Sequence, residues 1–363
     1  MRLLRNPIVF FFFVFFYLSP SEVEILAMAK DSPSTAPLVP ALIVFGDSIM
    51  DPGNNNDINT IVKSNFPPYG VDFTGGKPTG RFCNGRIPSD FIASKLGLKE
   101  DLPAYVGANL APEDLITGVS FASGGAGYDP LTSKVASAIS LDQQLELFKA
   151  YKEKVRAITG EDRAATVFSE SLYIVCIGSD DVANTYFPTP LRKRTYDVPS
   201  YANLLVGFAS EFVQKLIKMG AKKIGVVGIP PIGCVPSQRT LGGGIFRACA
   251  TPQNQLATLF NSRVSTEIQR IKTKFPGTRL VLADIYGILY DIIQRPKNYG
   301  LEISAKGCCG TGKLEVSVLC NSLTSSVCSN VSKYVFWDSY HPTEKTYKVL
   351  VDFLYEKYIP QLI

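Results

Sequence analysis

Among 363 residues there is one histidine, His341, one tryptophan and four methionines. A single imidazole cannot furnish a Cys/His zinc site, and no C-x-x-C pair occurs, so no metal and no cofactor are expected. Charge of one sign does not accumulate either. The densest basic cluster is Arg192-Lys193-Arg194, and the net charge is only +5. Nucleic acid and polybasic membrane attachment are therefore poorly supported, and the cluster reads as a solvated loop. A bilayer-length apolar run is also lacking. The phenylalanine-rich run at residues 8–18 is about half of the roughly 20 residues a spanning helix needs. It follows Arg2 and Arg5 and precedes Ala27-Met28-Ala29, the order of a secretory signal peptide at residues 1–29. An uncleaved anchor is the alternative, and the short run argues against it.

The scarcity of histidine has a chemical consequence. Histidine is the usual proton shuttle near neutral pH, so any Ser–His or Cys–His mechanism must run through His341. It lies in Phe336-Trp337-Asp338-Ser339-Tyr340-His341-Pro342, with Asp338 three residues before it. One short segment could supply both a base and the carboxylate that orients it.

Eight cysteines behind a signal peptide make disulfides plausible in a secreted, extracellular chain. Cys308, Cys309, Cys320 and Cys328 crowd the last quarter, with their connectivity open. Cys234 and Cys249 bracket Gly242-Gly243-Gly244 and could staple that loop. Cys176 lies in an apolar run and reads as a buried free thiol, while Cys83 has no obvious partner. Asn330-Val331-Ser332 is the only N-x-S/T sequon, so Asn330 is the candidate glycosylation site.

After a Ser/Pro/Ala-rich lead-in at 30–40, short continuous apolar runs recur at 41–45, 119–122, 172–177, 223–227 and 280–283. Runs of this kind suit strands buried on both faces of a parallel sheet. Stretches at 140–158, 201–219, 253–275 and 343–358 carry apolar residues at helical spacing. Alternating strands and helices predict one doubly wound, flavodoxin-like α/β domain over 41–363, with helices on both faces. Ligands bind such sheets at the carboxyl ends of the strands. Those ends carry Ser48, Gly124 and Asp180.

Ser48 stands where an apolar strand turns into Gly46-Asp47-Ser48-Ile49-Met50-Asp51-Pro52-Gly53-Asn54-Asn55-Asn56. A tight turn there could expose its Oγ to a base; taken alone, a Gly-Asp-Ser tripeptide reads more simply as a helix cap. It is not the G-x-S-x-G elbow, which is absent from the chain. This segment resembles the first signature block of the GDSL lipase/esterase, or SGNH hydrolase, family. Gly118-Val119-Ser120-Phe121-Ala122-Ser123-Gly124-Gly125-Ala126-Gly127 resembles the second block, residues 173–181 the third and Asp338-Ser339-Tyr340-His341-Pro342 the fifth. Four blocks in order cover nearly all of the chain after the lead-in. Within the family it is most similar to the plant secreted branch, and there to extracellular lipases of pollen-coat type.

The resemblance implies the SGNH hydrolase fold and a serine ester hydrolase acting on a small-molecule or lipid ester. Ser48 would be the nucleophile, His341 the general base and Asp338 the carboxylate that fixes its tautomer. Three-residue spacing would put Asp338 and His341 on one side of a helical turn. Asp338 could also serve as a helix N-terminal carboxylate before the helix that opens at Thr343. Backbone N–H groups of Ser48 and Gly124 would form part of an oxyanion hole. Asp180 stands where the family commonly has an asparagine donor. An ionised carboxylate only accepts, so Asp180 would have to stay protonated beside Asp181, or Ser179 or Asn184 would have to donate instead. Two alternatives remain open: acyl transfer through the same residues, and a weakened lipid-binding coat protein. Gly307-Cys308-Cys309-Gly310-Thr311-Gly312-Lys313 imitates a phosphate-binding loop, but Leu314 replaces the Ser or Thr that would bind Mg²⁺. A disulfide-stapled loop is the better reading.

Overall fold

Apolar runs that do not alternate with polar residues must be covered on both faces. In a computed structural model that describes residues 36–323 and 325–363, four of them form strands. These are β1 (Leu42–Gly46), β2 (Leu172–Cys176), β3 (Lys223–Val227) and β4 (Arg279–Ala283), all parallel in the order β1-β2-β3-β4. The signal peptide expected at 1–29 and residues 30–35 of the lead-in lie outside the described residues. Pro37–Ile363 form one compact unit. The end of the lead-in belongs to it, because Val39 is buried and the Leu38 N–H donates to the Leu96 carbonyl.

Six helices matter below: α1 (Pro88–Lys95), α2 (Leu141–Thr159), α3 (Val198–Lys218), α4 (Thr251–Lys274), α5 (Tyr286–Gln294) and α6 (Glu344–Tyr358). Successive strand side chains point to opposite faces. Ile43, Phe45, Tyr173 and Val175 therefore pack with α2, α3 and α4. Leu42, Val44, Ile174 and Cys176 face the side covered by α1 and α6. The doubly wound arrangement is as expected. The Phe45 ring anchors the first face, with its centroid 5.3 Å from Phe121, 5.5 Å from Phe148 and 5.4 Å from Phe212. Helix starts follow local chemistry. The Ser140 Oγ accepts from the Gln143 N–H, and the Thr343 Oγ1 from the Thr346 N–H. Helices α1 and α5 escaped the sequence reading because each is too short for a periodic window.

The run at 119–122 is the one expected strand that does not form. It lies along the free edge of β1, donating from the Phe121 N–H to the Val44 carbonyl at 2.8 Å, but makes only one bridge there, Val44 with Ser120. The Gln144 side chain diverts the Gly46 N–H from the ladder, although the Gly46 carbonyl still accepts from the Ser123 N–H at 3.0 Å. The Gln144 Oε1 accepts from the Gly46 N–H at 3.0 Å and its Nε2 donates to the Gly46 carbonyl at 2.9 Å. Counting this segment, the spatial order is 2-1-3-4-5, and the order reverses beside β1. A crevice opens at such a reversal.

A second, two-stranded parallel sheet joins β5 (Ile303–Gly307) to β6 (Tyr334–Phe336). The loop that follows β5 is stapled by Cys308–Cys328 and Cys309–Cys320. This is the phosphate-loop look-alike, and it is disulfide-bound as expected. Cys234–Cys249 closes the glycine loop, whereas Cys83 and Cys176 are free and buried. Among the described residues no helix is long and apolar enough to cross a membrane.

Candidate active site

β1 ends against β2 so tightly that a Cβ on Gly46 would lie 2.2 Å from the Cys176 carbonyl oxygen. Past that contact the chain turns at once. The Asp47 Oδ1 accepts from the Ile49 N–H, and the Asp47 carbonyl accepts from the Met50 N–H at 3.2 Å. Ser48 caps no helix here; it stands at the head of this turn, lining the crevice.

Asp338 and His341 come from the loop after β6. Their spacing works through this loop and not through a helical turn: the Trp337 N–H donates to the His341 carbonyl at 2.7 Å and closes it. Thr343, not Asp338, caps α6. The His341 Nε2 lies 2.7 Å from the Ser48 Oγ, and its Nδ1 lies 2.8 Å from the Asp338 Oδ2. The Asp338 Oδ1 accepts from the backbone N–H groups of Tyr340 and His341 at 2.8 and 2.7 Å. Asp338 is fully buried, so these bonds are what keep its charge tolerable.

Sequence reasoning missed a fourth member. The Tyr69 hydroxyl donates to the Asp338 Oδ2 at 2.8 Å and accepts from the Ser317 N–H at 2.8 Å. Burial, and then the Asp338 charge, push the Tyr69 phenol well above its usual range. No local signal announces this residue, which is 269 positions from its partner. Phe82 is a second omission, its ring centroid 5.1 Å from that of His341.

The Gly124 expectation needs correction. Its N–H donates to the Asp51 Oδ2 at 3.0 Å, and a Cβ there would strike the Phe82 ring at 2.7 Å. Its glycine character serves the Phe82 contact, and its N–H is already engaged. Gly125, with φ +86°, lines the crevice beside Ser48 instead. Among the described residues, neither the Ser48 N–H nor the Gly125 N–H has a hydrogen-bond partner.

Asp180 lies at the site as an acceptor, not as a donor. Its Oδ1 takes a hydrogen bond from the Asn184 Nδ2. Burial raises its carboxyl to about 6, against the opposing pull of the Asn184 bond and of His341. Burial, and then the Asp180 charge, push the Asp47 carboxyl well up. The Asp181 carboxylate is held by the Tyr128 and Asp129 N–H groups and the Thr132 hydroxyl, and burial raises it to about 7. Asn184 is fixed from both ends, because its Oδ1 also accepts from the Tyr340 hydroxyl at 2.7 Å. Among the described residues no cluster of three or more His, Cys, Asp or Glu side chains could hold a metal.

A serine, a histidine and a buried aspartate in hydrogen-bonded series, at the carboxyl edge of an open parallel sheet, have the arrangement of a serine hydrolase. The sequence pattern of the GDSL-like lipase/acylhydrolase family matches residues 42–354. Two Arabidopsis thaliana proteins illustrate the similarity. GDSL esterase/lipase EXL3 is 55% identical over 326 residues, which cover 90% of this chain and 89% of the relative. GDSL esterase/lipase EXL2 is 46% identical over 363 residues, covering 96% and 95%. The chain belongs to the GDSL-like lipase/acylhydrolase family.

Proposed function

We propose that the protein is a secreted carboxylic ester hydrolase that works through an acyl-enzyme on Ser48. The observation that carries this reading is the continuous series from the Ser48 Oγ to the His341 Nε2 and from the His341 Nδ1 to the Asp338 Oδ2, at 2.7 and 2.8 Å. In this reading the Ser48 Oγ attacks the ester carbonyl carbon as its proton passes to the His341 Nε2. Asp338 stabilises the imidazolium. The tetrahedral intermediate then expels the alcohol, which takes the proton from His341. Water, deprotonated by the same ring, attacks the acyl-enzyme and releases the acid. The N–H groups of Ser48 and Gly125 would receive the oxyanion, together with the Asn184 amide, which Asp180 and Tyr340 orient. The three disulfides, the exposed Asn330 side chain and the sequence at 1–29 support passage through the secretory route, with Asn330 glycosylated.

A fluorophosphonate probe should label the purified protein stoichiometrically, and Ser48→Ala should abolish the labelling. Labelling that persists in Ser48→Ala would refute the assignment. In the accompanying ester assay, Asn184→Ala is expected to lower kcat on the order of 10²-fold with little change in KM. An unchanged kcat would remove Asn184 from the oxyanion site.

A further inference from the structure

The two faces of the sheet are not equally sealed. On the side of α2, α3 and α4, Tyr173, Val175, Ile224 and Val226 are all 0% exposed. On the side of α6, Ile174 and Val227 retain 5% and Cys176 and Ala283 retain 8%, although all four belong to sheet strands. Protein interiors are close-packed with few voids larger than a water molecule, so residual exposure at mid-sheet marks a real space. It is the inner part of a cavity that, together with the crevice at Ser48, has a volume of about 360 Å³, within the range of roughly 300–1,000 Å³ for small-molecule sites.

Strand register explains its floor. Ile174, Gly225 and Val281 align across β2, β3 and β4, and two residues on so do Cys176, Val227 and Ala283. All six line the cavity. Its roof is α6 and the turn beyond it, through Leu350, Leu354, Tyr358 and Leu362. Gly225 leaves the middle of the floor without a side chain. The same cavity reaches Ser48 and His341, so the interior space and the crevice are continuous. These walls are apolar apart from the Tyr358 hydroxyl, and the Tyr347 hydroxyl is a further polar group lining the cavity, so water has few partners there.

We infer that this space is an acyl-chain channel, and that the enzyme takes esters of long aliphatic acids whose chain lies between the sheet and α6. The inference rests on the ester-hydrolase reading above. It assigns the acyl and not the alcohol side because of what must happen after the first step. The alcohol has to leave and water has to enter through the open crevice, while the acyl group stays attached to Ser48 until water arrives. An apolar recess behind the nucleophile retains the acyl group and leaves the crevice clear.

Gly225→Leu tests it. A Cβ at Gly225 would lie 3.0 Å from the Ile174 Cδ1 and 3.4 Å from the Leu362 Cδ1, both mobile side-chain ends, so a larger side chain must take up channel space. The measurement is kcat/KM for p-nitrophenyl dodecanoate and p-nitrophenyl butyrate on the folded full chain. Expected is a fall of about ten-fold or more in the dodecanoate-to-butyrate ratio, with the butyrate value within about two-fold of wild type. Leu354→Trp intrudes from the roof and should lower the ratio in the same direction, which covers the case in which Gly225→Leu does not fold. An unchanged ratio in the folded variants overturns the channel, and so does a ratio that falls only when the alcohol chain is lengthened. Failure of the wild type to hydrolyse either ester would instead bring down the ester-hydrolase reading itself.

Discussion

His341→Ala is expected to lower kcat for a simple ester by about 10⁴-fold or more at neutral pH. The effect should be this large because the chain holds one histidine. Ser48 has its Oγ 2.7 Å from that ring, and no second imidazole exists to take the proton. The fold should survive, since the ring lines the crevice and contributes no bond to the sheet. Added imidazole should restore part of the activity by entering the vacated space beside Phe82. The check is kcat with and without imidazole, alongside circular dichroism. More than about a tenth of wild-type turnover in His341→Ala would mean that Ser48 is activated some other way, if it is the nucleophile at all.

Asp338→Asn should cost a similar factor, on the order of 10⁴ in kcat, for a different reason. Two backbone N–H groups point at Oδ1, so that position must remain an oxygen. The new NH₂ is thereby forced to the Oδ2 side, facing the His341 Nδ1 and the Tyr69 hydroxyl. A donor there requires Nδ1 to accept, which moves the ring proton to Nε2. Nε2–H cannot take a proton from Ser48. A single histidine makes this directly visible: nitrogen-15 NMR of the imidazole should show the Nδ1–H tautomer in the wild type and Nε2–H in the variant. An unchanged tautomer, or kcat within about ten-fold of wild type, would sink the orienting role of Asp338.

The strand ends were readable because each apolar run stops abruptly at a polar or glycine turn, and burial on both faces leaves no other way to place such runs. Ser48, Asp338 and His341 could be named because each lies in a compact local block. What stayed hidden depends on contacts between distant segments. Tyr69 follows two prolines in an unremarkable stretch, and only the packing of its ring beneath Trp337 and Phe82 brings its hydroxyl to Asp338. The choice between Gly124 and Gly125 was likewise undecidable locally, since Asp51, 73 residues earlier, determines which N–H is engaged. The segment at 119–122 read as a strand because its composition is that of one. Gln144, arriving from α2, takes the Gly46 N–H that would have extended the ladder, while the Gly46 carbonyl still accepts from the Ser123 N–H.

The contact between Ser48 and His341 joins positions 293 residues apart. Synthesis therefore delivers the nucleophile near the beginning and its base near the end. A growing chain can complete β1 and β2 and still be chemically inert, because no imidazole has yet been made. Even after the last residues emerge, the segment bearing Asp338 and His341 runs beside Cys308 and Cys309, whose N–H groups bond the Phe336 and Trp337 carbonyls. Those two cysteines reach their covalent partners only under oxidising conditions. The base is thus delivered late and held by a loop whose cross-links, Cys308–Cys328 and Cys309–Cys320, form only by oxidation.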